Sequence, residues 1–119
     1  METKDFGKRG EDEAVEYLRG LGYEILQRNY RKREGEIDII AFDPKRKEYV
    51  FAEVKSRRNR AFGAPEEAVS ERKVEKMANT AQRWLAEQGK EKAEWRLDLV
   101  ILEIGSNGKP EWRHLTHLS

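Results

Sequence analysis

Gly35-Glu36-Ile37-Asp38-Ile39-Ile40 and Tyr49-Val50-Phe51-Ala52-Glu53-Val54-Lys55 are two short, largely apolar runs separated by Asp43-Pro44-Lys45-Arg46-Lys47. Each run reads as a β-strand, and the segment between them as a turn to which Pro44 is suited. Strands joined this way are antiparallel neighbours, which brings their charged positions together. Side chains alternate faces along a strand. The pattern therefore predicts Glu36 and Asp38 on one face of the first strand, opposite Ile37 and Ile39. Glu53 and Lys55 share a face of the second, opposite Ala52 and Val54. Three or four charged groups then lie beside two half-buried strands, where charge is costly unless it is paired or binds a metal.

Upstream, Ala14, Leu18 and Leu21, with Val15 and Tyr17 alongside, make an apolar stripe at helical spacing. It predicts a helix over residues 5–21, started by Asp5 or Thr3 and ended by Gly20 and Gly22. Gly7 and Gly10 weaken its first turns; they read either as a close backbone approach or as fraying. A strand over 23–31 and the polar turn Lys32-Arg33-Glu34-Gly35 lead into strands over 36–42 and 48–56. Residues 57–65 form a basic loop broken by Gly63 and Pro65. A long helix follows, from Glu66 or Ser70 to Gln88, carried by Val69, Lys73, Met77, Ala81 and Leu85 and capped by Gly89. Lys73 on its apolar stripe is unusual: it either reaches the edge of the charged site or snorkels to solvent. Strands over 95–104 and 110–115 complete the chain, the last at a sheet edge. There is no repeat, low-complexity tract or linker, and 119 residues predict one domain with one core.

Charged residues are 39% of the chain and hydrophobic ones 37%. The absence of Cys excludes disulfides and thiolate metal sites. Only His114 and His117 offer imidazoles, which disfavours zinc; a metal here would be an oxygen-bound cation such as Mg²⁺ or Mn²⁺. Met1-Glu2-Thr3-Lys4-Asp5 lacks the apolar core of a signal peptide, and no run approaches the ~20 apolar residues of a membrane helix. A cytoplasmic protein without a membrane partner is expected. The net charge of +1 is unevenly spread: residues 1–27 carry −3, 28–60 carry +5 and 61–119 carry −1. The basic excess surrounds the two strands, and three of the acids there are Glu36, Asp38 and Glu53. A cation neutralising those acids would leave surroundings suited to a nucleic acid backbone. A solvated surface of mixed charge explains the same distribution.

Asp38, Glu53 and Lys55 make the Asp…Glu-x-Lys pattern of metal-dependent nucleases. Phosphodiester hydrolysis needs a cation at the scissile phosphate, an activated water and relief of developing charge. Asp38 and Glu53 can supply carboxylate ligands, and the Val54 backbone carbonyl another. Lys55 can position or deprotonate the water, or stabilise the transition state. A cross-strand salt-bridge cluster is the competing reading. Glu11 can reach the same site as a further ligand, or stay a solvated helix charge. Arg31, Arg57, Arg58, Arg60 and Lys73 can contact phosphates or remain solvated. Arg96 and Asp98 read as a buried structural pair. Trp84, Trp95, Tyr17 and Tyr23 read as core or subsurface fillers. His114 and His117 have no acid partner in a recognisable motif and read as surface residues.

Taken together, the chain resembles the YraN-like family of small bacterial proteins (uncharacterised protein family 0102), in the restriction-endonuclease-like superfamily. The resemblance rests on Gly7-x-x-Gly10-Glu11-x-x-Ala14-x-x-Tyr17-Leu18, Gly22-Tyr23, Asn29-Tyr30-Arg31, Gly35-Glu36-Ile37-Asp38-Ile39-Ile40 and Phe51-x-Glu53-Val54-Lys55-Ser56-Arg57. Phe62-Gly63, Pro65, Ala68-Val69, Lys73 and Arg96-x-Asp98 follow in order. The resemblance implies an α/β fold with an αβββαβ core, a mixed central sheet flanked by helices. It also implies a Mg²⁺-dependent DNA endonuclease in which Asp38 and Glu53 hold the metal, Lys55 is the catalytic lysine and Glu11 the first-helix acid. Glu11 is shared in particular with archaeal Holliday-junction resolvases, which the pattern also resembles and which act as homodimers because they cut two strands symmetrically. The superfamily often places Pro before the metal-binding Asp, where this chain has Ile37. A nucleic-acid-binding module without turnover, or an accessory subunit of a DNA-processing complex, remains the alternative.

Overall fold

Three antiparallel turns and one long crossover arrange the chain, whose computed structural model describes residues 3–58, 69–105 and 107–118, with side chains from Gly10 onward except that of Arg58. The elements are α1 (Thr3–Gly20), β1 (Glu24–Lys32), β2 (Gly35–Asp43), β3 (Glu48–Arg58), α2 (Glu71–Glu87), β4 (Trp95–Ile104) and β5 (Pro110–Leu115). The strands form one sheet in the order β1-β2-β3-β4-β5. β3 and β4 pair in parallel and every other neighbour pair is antiparallel. This is the mixed-sheet α/β architecture with an αβββαβ core that the resemblance implies. No helix among the described residues is long and apolar enough to cross a membrane.

Each helix covers one face of the sheet. Ala14, Val15 and Leu18 of α1 pack on Ile39, Ala41, Val50, Ala52 and Val100. Met77, Ala81, Trp84 and Leu85 of α2 pack on Tyr30, Ile37, Ile40, Phe51 and Leu97. β4, covered on both sides, is accordingly a near-continuous buried run. Of the two candidate starts for α2 the chain uses Ser70, whose hydroxyl accepts from Lys73 N at 3.2 Å; Glu66 lies outside the described residues. Both helices end on a left-handed glycine, Gly22 (φ 92°) and Gly89 (φ 69°). The two amides that close each end are Tyr23 N to Leu18 O and Gly22 N to Arg19 O, then Lys90 N to Leu85 O and Gly89 N to Ala86 O. Gly10 is a close approach rather than a frayed turn: a Cβ there would lie 1.8 Å from Ser56 Oγ on β3.

One strand expectation is corrected. Ile37 and Ile39 do not share a face: Ile37 packs under α2 and Ile39 under α1. The alternation breaks because Asn29 on β1 is left-handed, at φ 53°, a conformation that asparagine tolerates. Arg28 pairs with Ile39 and Tyr30 with Ile37, but Asn29 and Asp38 between them are not a ladder pair. The β2–β3 ladder also ends there, at Ile39↔Ala52. β1, an edge strand, carries a second irregularity between Ile25 and Gln27, and the opposite edge strand β5 begins at Pro110.

A buried polar network fills the α1 side at the other end of the sheet. Arg96, 1% exposed, donates to Asp98 at 3.1 Å, to Asp43 and Glu48 at 3.0 Å, and to Tyr23 Oη at 2.6 Å. Burial opposes the charge of Arg96, but Asp98 and the hydrogen-bonded acids outweigh it and hold the group charged more firmly than an ordinary arginine. The expected Arg96–Asp98 pair is thus the centre of a larger cluster. His114 is not a surface residue: its Nε2 lies 2.7 Å from Asp98 Oδ2. The register Val100↔His114 sets that ring diagonally across from Asp98, an acid no local motif reveals. His117 is exposed, with Nε2 3.7 Å from Glu48.

Candidate active site

The kink at Asn29 and the end of the β2–β3 ladder release Asp38 from strand pairing. Its Oδ2 accepts the Val54 N–H at 2.8 Å, replacing the missing backbone partner with a side chain. Burial pushes the Asp38 carboxyl up to about 6, against the Val54 hydrogen bond and with the help of nearby Glu11, Glu53 and Glu36. The contact with Val54 is made through its N–H; the carbonyl is the part that sequence reading singled out.

Glu53 is 8% exposed on β3 and alternation brings Lys55 to the same face, with Nζ 3.3 Å from Glu53 Oε1. A second ammonium reaches the same oxygen from α2, that of Lys73. Burial works against the Lys73 charge, but its bond to Glu53 prevails and raises its pKa above the usual lysine value. Glu11 approaches from α1, one residue after the Gly10 contact with Ser56. Glu11 Oε1 and Glu53 Oε2 are buried and have no hydrogen-bond partner among the described residues. Four elements thus bring Glu11, Asp38, Glu53, Lys55 and Lys73 together. Among the described residues no three acids or histidines are arranged as a ready-made metal cage.

The expected phosphate contacts divide. Arg31 is largely exposed and lies 3.1 Å from Glu36 at the rim. Arg57 is tied down: the register Arg57↔Glu103 sets it beside an acid on β4, at 3.1 Å, with its side chain 14% exposed. The Arg58 side chain and all of Arg60 lie outside the described residues. Along α2 a groove of about 310 Å³ opens beside the acids, lined by Gly35, Glu36, Ser70, Arg72, Lys73, Lys76 and Met77. The pairing of Lys73 with Glu53 was signalled in the sequence only by a lysine on an apolar stripe. The role of Asn29 was signalled only by an asparagine inside a strand.

The profile of Uncharacterised protein family UPF0102 matches residues 10–102, a span that includes every one of the converging side chains. A UPF0102 protein of Mycobacterium sp. (strain KMS) is 44% identical over 92% of this chain and 82% of its own length. One from Desulforamulus reducens is 42% identical over 97% and 95% respectively, and one from Mycobacterium bovis (strain BCG / Pasteur 1173P2) is 40% identical over 99% and 92%. On a profile match over most of its length and relatives at this identity, the chain belongs to Uncharacterised protein family UPF0102.

Proposed function

We propose that this protein is a divalent-metal-dependent endonuclease that hydrolyses phosphodiester bonds in DNA, with branched or damaged duplexes as the favoured substrates. The observation that carries the reading is the cost left in the site. Burial and nearby Glu11, Glu53 and Glu36 push Asp38 up to about 6, and buried oxygens of Glu11 and Glu53 have no hydrogen-bond partner among the described residues. A cation held by Asp38 and Glu53 would relieve that cost. Mg²⁺ takes only one or two carboxylates and completes its shell with water and substrate oxygens, so the lack of a closed cage fits it. Mn²⁺ accepts the same oxygen donors.

In this reading Asp38 and Glu53 hold the ion, with Glu11 as the third acid on the α1 side. When bound, the ion polarises the scissile phosphate and makes water a stronger nucleophile at neutral pH. The Val54 N–H fixes the orientation of Asp38. Lys55 extends from the sheet next to Glu53, where its ammonium offsets the charge that develops on the phosphate oxygens. Arg31 at the rim and the basic wall of the α2 groove position the backbone without reading sequence.

The test is cleavage of labelled duplex, single-stranded, flapped and four-way-junction DNA, and of RNA, with Mg²⁺ or Mn²⁺. Lys55→Ala and Asp38→Asn proteins are run in parallel. Metal-dependent cutting lost in both variants supports the reading and ranks the substrates. Cutting that persists in both marks a contaminant. Binding without cutting by any of the proteins would replace the endonuclease with a nucleic-acid-binding module, and neither binding nor cutting would leave an accessory subunit.

A further inference from the structure

We propose that Lys73 is an internal counter-cation of Glu53: it holds the carboxylate in the absence of metal, is displaced when a divalent ion binds, and then grips a nucleic-acid phosphate in the α2 groove. The inference rests on the metal-site reading above and adds an order of events to it.

Glu53 Oε1 carries two ammonium groups, Lys55 at 3.3 Å and Lys73, while Oε2 has no hydrogen-bond partner among the described residues. A divalent ion arriving at this carboxylate meets both positive charges. Like charges this close repel one another, so three cations on one carboxylate are disfavoured. One must move, and the geometry selects which. The backbone of Lys55 lies two residues from Glu53 on the same strand, so its side chain leaves the sheet on the same face. Both lysine side chains are about equally exposed, 42% for Lys55 and 41% for Lys73, but Lys73 comes from a different element and, unlike Lys55, borders the α2 groove into which it can turn. The lysine can swing to solvent at little cost; the buried carboxylate cannot follow it.

The place it swings into is already basic. Lys73 shares the groove with Arg72 and Lys76, and among the described residues Glu36 is the one acid on its lining. Release of Lys73 adds a third cation to that wall, at the end nearest the acids. Metal binding and nucleic-acid binding then help each other, because each is favoured by the same rearrangement.

Mn²⁺ affinity, followed by electron paramagnetic resonance on the wild type, Lys73→Gln and Lys73→Arg, tests the displacement. Oligonucleotide affinity in Ca²⁺ or EDTA across a salt series tests the coupling. The Gln variant is expected to bind Mn²⁺ about tenfold tighter than the wild type, and the Arg variant to match the wild type. Ca²⁺ should tighten oligonucleotide binding by the wild type, an enhancement lost in the Gln variant along with about one unit of salt slope. Equal or weaker Mn²⁺ binding by the Gln variant, or the same gain in the Arg variant, overturns the counter-cation role while leaving the metal site standing. Failure of all three proteins to bind Mn²⁺ overturns the metal site, and this inference with it.

Discussion

Asp38→Asn is expected to make the metal-free protein more stable. The carboxyl moves from an ordinary 3.8 to about 6 on folding, chiefly by burial, then by the neighbouring acids. The native state therefore holds this proton more tightly than the unfolded chain does, so this group's contribution to stability is fully present below pH 3.8 and is lost as the pH rises through about 6. About two pKa units at 1.36 kcal/mol each make the ionised carboxylate cost roughly 3 kcal/mol at pH 7.5. The Asn amide oxygen can still accept the Val54 N–H, so the substitution removes charge without removing the acceptor. Urea denaturation in EDTA at a series of pH values measures the difference. The variant should lead by about 2–3 kcal/mol at pH 7.5, and by under about 1 kcal/mol at pH 4, where the native wild type is protonated. A variant no more stable than wild type at pH 7.5, or a lead that persists unchanged at pH 4, would refute the account of a desolvated, mutually repelling acid cluster.

Substitutions at two further positions probe the backbone beside the site and the buried network at the other end of the sheet. Asn29→Gly should be nearly neutral, whereas Asn29→Val should cost roughly 1–2 kcal/mol in urea midpoint, because a β-branched residue resists the left-handed backbone at φ 53°; equal stability of the two variants would mean that the kink is not enforced. Arg96→Met should cost about 3–5 kcal/mol in thermal unfolding, since Asp98 and Asp43, 0% and 4% exposed, lose their shared cation; a loss under about 1 kcal/mol would show that the acids relax to solvent.

The elements were legible where a periodic signal was clean. The strands Trp95–Ile104 and Pro110–Leu115 coincide with the bounds read from pattern, and a Pro-containing turn announces the β2–β3 hairpin that brings Asp38 near Glu53. What local pattern could not carry depends on partners distant in sequence. A period-two reading of Ile37 and Ile39 assumes an unbroken strand, and the break comes from a residue on the neighbouring strand. His114 found its acid through β4–β5 register rather than through any motif. Arg57 was basic, near the site residues in sequence and apparently suited to phosphate, yet the parallel register with β4 gave it Glu103. Lys73 had two readings open, and only the docking of α2 chose between them.

The two outer strands bear on how copies of this chain could associate. A sheet with bare edges invites a neighbour to add its own strand, and proteins blunt such edges with charge, irregular backbone and proline. β1 offers Glu24, Arg28, Arg31 and Lys32 along a strand broken near Ile25 and again at Asn29, and β5 is six residues long and opens with Pro110. Continuous growth of the sheet from molecule to molecule is thereby discouraged at both ends. A symmetric pair built to act on two DNA strands would have to meet through helix or loop surfaces, leaving each sheet closed within its own subunit.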